Sequence, residues 1–222
     1  MVNKSFKYWT QTDLMDTFGL VNNHNNCQSL KQWIADGDDL MSKSTLTDSE
    51  HKMLDDISNE LTENVFGWNE EELKMYFISP LLRVVNLNSS KYKLFYERKL
   101  SATLNDIKLT GTVDAMIASG NFDTPKKPYF CLHEYKPEKS GKDTDPHGQL
   151  LSEMLAAQTL NNDEKIIYGC YFIGQLWIFA TLVGNEFCFS KGFVASDKIF
   201  LERIVFILRQ LKTYIDERVL QS

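Results

Sequence analysis

No two cysteines of this 222-residue chain form a CxxC pair: Cys27, Cys131, Cys170 and Cys188 are scattered. The last three fall in strand-like segments, and a structural zinc is the minor alternative to free thiols. The expectation is therefore four reduced thiols in a reducing, cytoplasmic compartment. The opening stretch MVNKSFKYWTQTDL lacks the apolar core of a signal peptide. Positive charge is also short, with 24 Lys and Arg against 30 Asp and Glu, a net −6. That balance argues against indiscriminate coating of nucleic acid, while leaving room for a local basic patch. There is no internal repeat, no low-complexity tract, and no motif in residues 1–60 that reads bases. The stretch DGDDL at 36–40 lacks the alternating ligands and late Glu of a calcium loop and reads as a solvated loop.

One charge-free run, IIYGCYFIGQLWIFATLVG at 166–184, is nearly long enough to span a bilayer. Gly174-Gln175 interrupts it and Gly184-Asn185 closes it, both suited to two-residue hairpin turns. Three strands are expected, at about 166–173, 176–183 and 186–191, with no membrane span. Their Trp and Phe residues are read as core.

What is present is ordinary for a soluble globular chain, 43% hydrophobic and 24% charged. Residues 1–66 look helical and polar and form an N-terminal extension; residues 67–222 form the main domain. There, WNEEELKMYFISPLLRVVNL reads as a helix that Asn69 can cap, with three glutamates in its first turn. Strands follow at about 92–99, 109–118 and 128–136. DPHGQLLSEMLAAQTL reads as a helix with Asp145 as N-cap and Pro146 at its first position. SDKIFLERIVFILRQLKTYIDERV forms a long amphipathic C-terminal helix. A helix between the third and fourth strands suits a crossover in a mixed sheet. The fold class is thus α/β (α+β), a central mixed sheet flanked by helices.

Two strand-like segments each end on a carboxylate, Asp114 in TGTVDAMIA and Glu134 in YFCLHEYK, although strand interiors disfavour such residues. Alternation puts Glu134 and Lys136 on one side, and Pro137 stops the strand after them. If Asp114 lies level with Glu134 on the neighbouring strand, two carboxylates meet and need a cation between them. Hard oxygen ligands suit Mg²⁺ better than zinc. The plainer readings are a buried Asp114 satisfied by backbone donors and an exposed Glu134–Lys136 pair. His133 is read as a core or rim histidine, and His147 as exposed. Lys139 and Lys142 either grip phosphates or keep their loop soluble.

Asp114 followed by Glu134-Tyr135-Lys136 resembles the signature of the PD-(D/E)XK nuclease superfamily, with the restriction-endonuclease-like fold. Val113 stands where that family usually has Pro. The order of elements from about 68 to 173 is similar to the family core, and the helix NEEELKMYFISPLL resembles the opening helix of the nuclease domain of type I restriction enzymes. The resemblance implies a metal-dependent nuclease acting on nucleic acid, DNA in the first instance, with a homodimer as a candidate assembly. It implies Mg²⁺ or Mn²⁺ held by Asp114, Glu134 and the Tyr135 backbone carbonyl, with Lys136 orienting the attacking water. Gln149 would assist from the following helix. An opening-helix carboxylate often joins such a site. Glu70 shares a stripe with Leu73, Phe77 and Leu81, whereas Glu71 and Glu72 turn about 100° and 200° away. Glu70 is therefore the candidate. Two other classes remain: a binding or assembly module on the same fold, and a sugar hydrolase using Asp114 and Glu134 as acid and base, in which Lys136 has no evident role.

Overall fold

Two periodicities share the chain. Apolar residues recur at helical spacing from Gln11 to Val85 and again after Lys198, and at strand spacing between them. The computed structural model describes residues 2–24, 27–121, 123–139 and 145–220. In it, β1 (Val2–Ser5) leads through a 3-10 turn to α1 (Gln11–Phe18), β2 (Val21–Asn22), α2 (Gln28–Lys43) and α3 (Asp48–Asn64). A helical rod follows, made of α4 (Glu70–Leu73), a π turn (Lys74–Ile78) and α5 (Ser79–Val85). Then come β3 (Tyr92–Leu104), β4 (Ile107–Asn121), β5 (Thr124–Lys136), α6 (Pro146–Asn161), β6 (Ile167–Ile173), β7 (Leu176–Val183), β8 (Glu186–Phe189), β9 (Phe193–Val194) and α7 (Lys198–Leu220).

The strands make one mixed sheet, ordered β1-β4-β5-β6-β7-β8-β2, with β3 also on β4 and β9 on β7. The run 166–184 forms the β6–β7 hairpin, so its turn glycines outweigh its hydrophobicity. Among the described residues no helix is long and apolar enough to cross a membrane. The expected α6 crossover is present, carrying the chain from β5 to the parallel β6. Asp145 caps α6 as expected, accepting from the His147 N–H at 3.1 Å.

Helices cover both faces. Trp33, Phe77, Phe172, Trp177, Phe179, Ile207 and Leu211 fill the layer beneath α2, α5 and α7. Leu132, Leu150, Met154, Ile167 and Leu182 fill the layer beneath α6, joined by Phe6, Trp9 and Leu14. Helix α6 is buried on every side from Gly148 to Ala157, as its nearly uniform apolar sequence requires. At Gly148 a Cβ would lie 2.2 Å from the Trp9 carbonyl oxygen, so only glycine lets the N-terminal segment cross there.

The helical reading of residues 1–66 holds for α1, α2 and α3. The segment also supplies two strands: β1 runs parallel to β4, and β2 parallel to β8. Neither shows enough alternation to be read as a strand, because each is too short. The stretch 36–40 is a correction: it is not a loop but part of α2. Gly37 packs against Ile207 so closely that a Cβ would sit 2.7 Å from the Ile207 Cα. Asp36 accepts from the Tyr214 hydroxyl, and Asp38 pairs with Arg203. The acidic cluster is the α7-facing side of a helix.

The cysteine expectation is corrected too. Cys27 and Cys188 form a disulfide, their Cα atoms 6.2 Å apart. The β2–β8 pairing matches Val21 to Glu186 and Asn22 to Phe187, which brings the entrance of α2 beside β8. Only that long-range register brings together cysteines 161 positions apart. Cys131 and Cys170 are free and buried. Closing so long a loop restricts the unfolded chain, so reduction is expected to cost about 2–4 kcal/mol of unfolding free energy. Denaturant melts with and without reductant check this: Cys188→Ser should match the reduced wild type and ignore the reductant.

Candidate active site

Strand β4 meets β5 in antiparallel register as far as Ala115 opposite His133. One step further, where Asp114 would face Glu134, the ladder stops, although β5 stays paired with β6 up to Lys136 opposite Ile173. The Tyr135 N–H, lacking a β4 carbonyl, donates instead to Asp114 Oδ2 at 2.8 Å. The two carboxylates of the sequence pattern thus lie where the strands part.

Five further charged side chains converge on them. Glu70 and Lys74 come from α4 and the π turn, one helical turn apart. Lys74 Nζ lies 2.8 Å from Glu70 Oε1, 2.7 Å from Glu97 Oε1 and 2.8 Å from Asp114 Oδ1. Lys136 Nζ lies 2.5 Å from Glu134 Oε1 and 3.5 Å from Glu70 Oε2. Glu97 sits on β3 with a φ of 50°, a left-handed conformation that costs a non-glycine residue free energy. From α6, Glu153 is fully buried and accepts from Gln149 Nε2 at 3.4 Å. Five carboxylates face two ammonium groups.

Burial and mutual repulsion set the protonation. Glu134 is pushed up to about 8, first by burial and then by the Asp114 charge, with Lys136 opposing. Burial raises Asp114 against the pull of Lys74 and the Tyr135 N–H. Burial, then Glu134 and Asp114, raise Glu153 well above the usual carboxylate range. Burial works the same way on Glu70, but Lys74 and Lys136 outweigh it and hold Glu70 low. Burial disfavours both ammonium groups, yet Asp114 raises Lys74 and Glu134 raises Lys136.

Lys136 makes a close ion pair with Glu134 through Oε1. Among the described residues, Glu134 Oε2 and Glu153 Oε2 are buried without a hydrogen-bond donor. These oxygens, alongside Asp114, are a hard-ligand set that fits a divalent cation once their protons leave.

Every residue selected from the sequence lies in or beside this cluster. Glu70 faces it; Glu71 is exposed. Glu72 is occupied in a capping box with Asn69. Tyr135 contributes its N–H. Gln149 reaches Glu153 at the cluster's inner edge. His133 is fully buried, on the opposite side of β5 from Glu134. His147 is only partly exposed, its Nε2 lying 2.6 Å from the Tyr171 hydroxyl, because it packs against Phe189. Lys139 is exposed, and Lys142 lies outside the described residues. The cavity of about 320 Å³ lined by Phe130, Tyr168, Tyr214 and Arg218 holds none of these groups.

Lys74, Glu97 and Glu153 were missed. Lys74 follows Glu70 by one turn, a spacing that pairs charges on a helix. Glu153 is an isolated acid in an apolar helix, also a readable signal. Glu97 carries none, since it lies in a plainly polar part of β3. Compared with known proteins, the chain matches no family model and no curated protein.

Lys74 occupies the Asp114 oxygen that a metal would need. Lys74→Met is expected to tighten Mn²⁺ binding about tenfold, or about 1.4 kcal/mol, read by calorimetric titration. Unchanged or weaker affinity would mean that the ammonium does not compete. Separately, Glu134, Asp114 and Glu153 bind protons more tightly folded than unfolded. For Glu134, this contribution to stability is fully present below its ordinary value of 4.5 and is lost as the pH rises to about 8. In chelator, stability should therefore fall across that range by up to about 1.4 kcal/mol per pH unit for each such group. Melts at several pH values should show a shallower fall for Glu134→Gln.

Proposed function

We propose that the protein is a divalent-cation-dependent nuclease hydrolysing phosphodiester bonds, in DNA in the first instance. The observation that carries this reading is the meeting of Asp114, Glu134 and Lys136 where β4 and β5 part, with Glu134 Oε2 buried and lacking a donor among the described residues. Asp114 and Glu134, with the Tyr135 carbonyl, would hold Mg²⁺ or Mn²⁺. When bound, such an ion supplies Lewis acidity and lowers the pKa of a coordinated water.

The chain's own groups do the rest. Lys136, held by Glu134 and Glu70, is placed to orient the attacking water and offset negative charge on the phosphate. Glu70 keeps that ammonium at the strand end. Gln149 restrains Glu153, whose preference for its proton limits the negative charge behind Glu134. The absence of a long apolar helix among the described residues agrees with a partner in solution rather than in a bilayer.

One observation favours a second reading, a non-catalytic nucleic-acid-binding or assembly module. Lys74 already neutralises Asp114, Glu70 and Glu97, so the cluster is partly balanced by an internal cation. Incubation with linear, circular and single-stranded DNA, with and without Mg²⁺ or Mn²⁺, separates the two. Asp114→Asn, Glu134→Gln and Lys136→Ala are each expected to lower metal-dependent cleavage by at least about 100-fold while the far-UV spectrum is kept. Wild-type protein that binds DNA but never cleaves it would establish the second reading.

A further inference from the structure

On the face of β5 turned away from Glu134, a second group of ligating side chains is gathered. Cys131 and His133 alternate onto that face, and the parallel β5–β6 register sets His133 opposite Cys170. The two sulfurs and an imidazole nitrogen lie within 4.8 Å of one another. All three residues are fully buried, beneath α7 and beside Trp177.

A polar group in such a core needs a partner. His133 Nδ1 has one, the Tyr135 hydroxyl at 2.7 Å. His133 Nε2 is buried and has none among the described residues, an arrangement that a plain core disfavours. The Cys131 thiol has a long contact to the Leu132 carbonyl, at 3.9 Å, and otherwise faces Cys170 and His133. Two thiols and a half-satisfied imidazole together contribute less to an apolar core than aliphatic side chains would.

We infer that Cys131, His133 and Cys170 bind one Zn²⁺ through two thiolates and His133 Nε2, filling three of its four tetrahedral positions. The ligand types and the Tyr135 hydroxyl holding the far nitrogen match how zinc-bound histidines are oriented. Charge favours zinc over a monovalent soft ion. Two thiolates and Zn²⁺ sum to zero, the cheapest state in a dry core, whereas Cu⁺ leaves a buried negative charge. On binding, both thiol protons leave to solvent and no electrons move. The buried position means that the ion enters as the chain folds. This site does not depend on the proposed nuclease centre.

The full-length protein, expressed in zinc-supplemented medium and desalted, is assayed for metal content, then unfolded with chelator and refolded with or without Co²⁺. About one zinc per chain is expected, together with a cobalt–thiolate charge-transfer band after refolding. Both should vanish in Cys170→Ala and persist in Asp114→Asn, which disables the other site. Zinc below about 0.1 per chain with no cobalt–thiolate band would overturn the inference. So would copper in place of zinc, or a Cys131–Cys170 disulfide found by peptide mapping. If Cys170→Ala fails to fold, the wild-type cobalt spectrum decides alone, since sulfur ligation produces a band that oxygen ligands cannot.

Discussion

A carboxylate taken out of water is tolerated only beside a cation or several N–H donors, and the end of the β4–β5 ladder holds three that are almost wholly buried. Asp114 takes the Tyr135 N–H and the Lys74 ammonium. Glu134 takes the Lys136 ammonium on one oxygen, while its other oxygen has no donor among the described residues. Glu153 has Gln149 on one oxygen and nothing on the other. Repulsion among the three is relieved by protons, as their raised affinities show, and by two lysines. Hydrophobic packing alone gives no reason for burying so many acids together.

Much of the surrounding architecture serves to hold that charge in place. The strands part after Ala115 and His133, so that a side-chain carboxylate replaces a ladder carbonyl. The helical rod shifts to a π turn at Lys74, a departure often found at functional positions. Helix α6 is sunk into the domain on all sides, which keeps Glu153 from water. Its crossing with the N-terminal segment depends on the missing side chain of Gly148. On the other face of β5, the cysteines and His133 use the same alternation to collect soft ligands away from the hard ones. One strand therefore separates two chemistries by a single residue of register.

The parts of this arrangement readable in advance are those with a local cause. The turn glycines at 174 and 184 divided a bilayer-length run into strands. Asp145 and Pro146 marked the start of α6, and Asn69 the start of the rod. Alternation put Glu134 and Lys136 together, and the helical stripe singled out Glu70 from three adjacent glutamates. Lys74 and Glu153 left weaker local signals, a charge spacing and an isolated acid in an apolar helix.

Local pattern therefore determined the element types and the faces of Glu134, Lys136 and Glu70, because capping, turn formation and face selection act over four residues or fewer. Gln149 and the grouping with Asp114 came from the family resemblance. Tertiary structure alone decided which distant elements touch. It joined Cys27 to Cys188 through the register of two short strands. It turned an apparent acidic loop into the α7-facing side of α2, and it brought Glu97 beside Lys74 by pairing β3 with β4. Such contacts come from packing and strand register across 23 to 178 residues, and no short stretch of sequence carries that information.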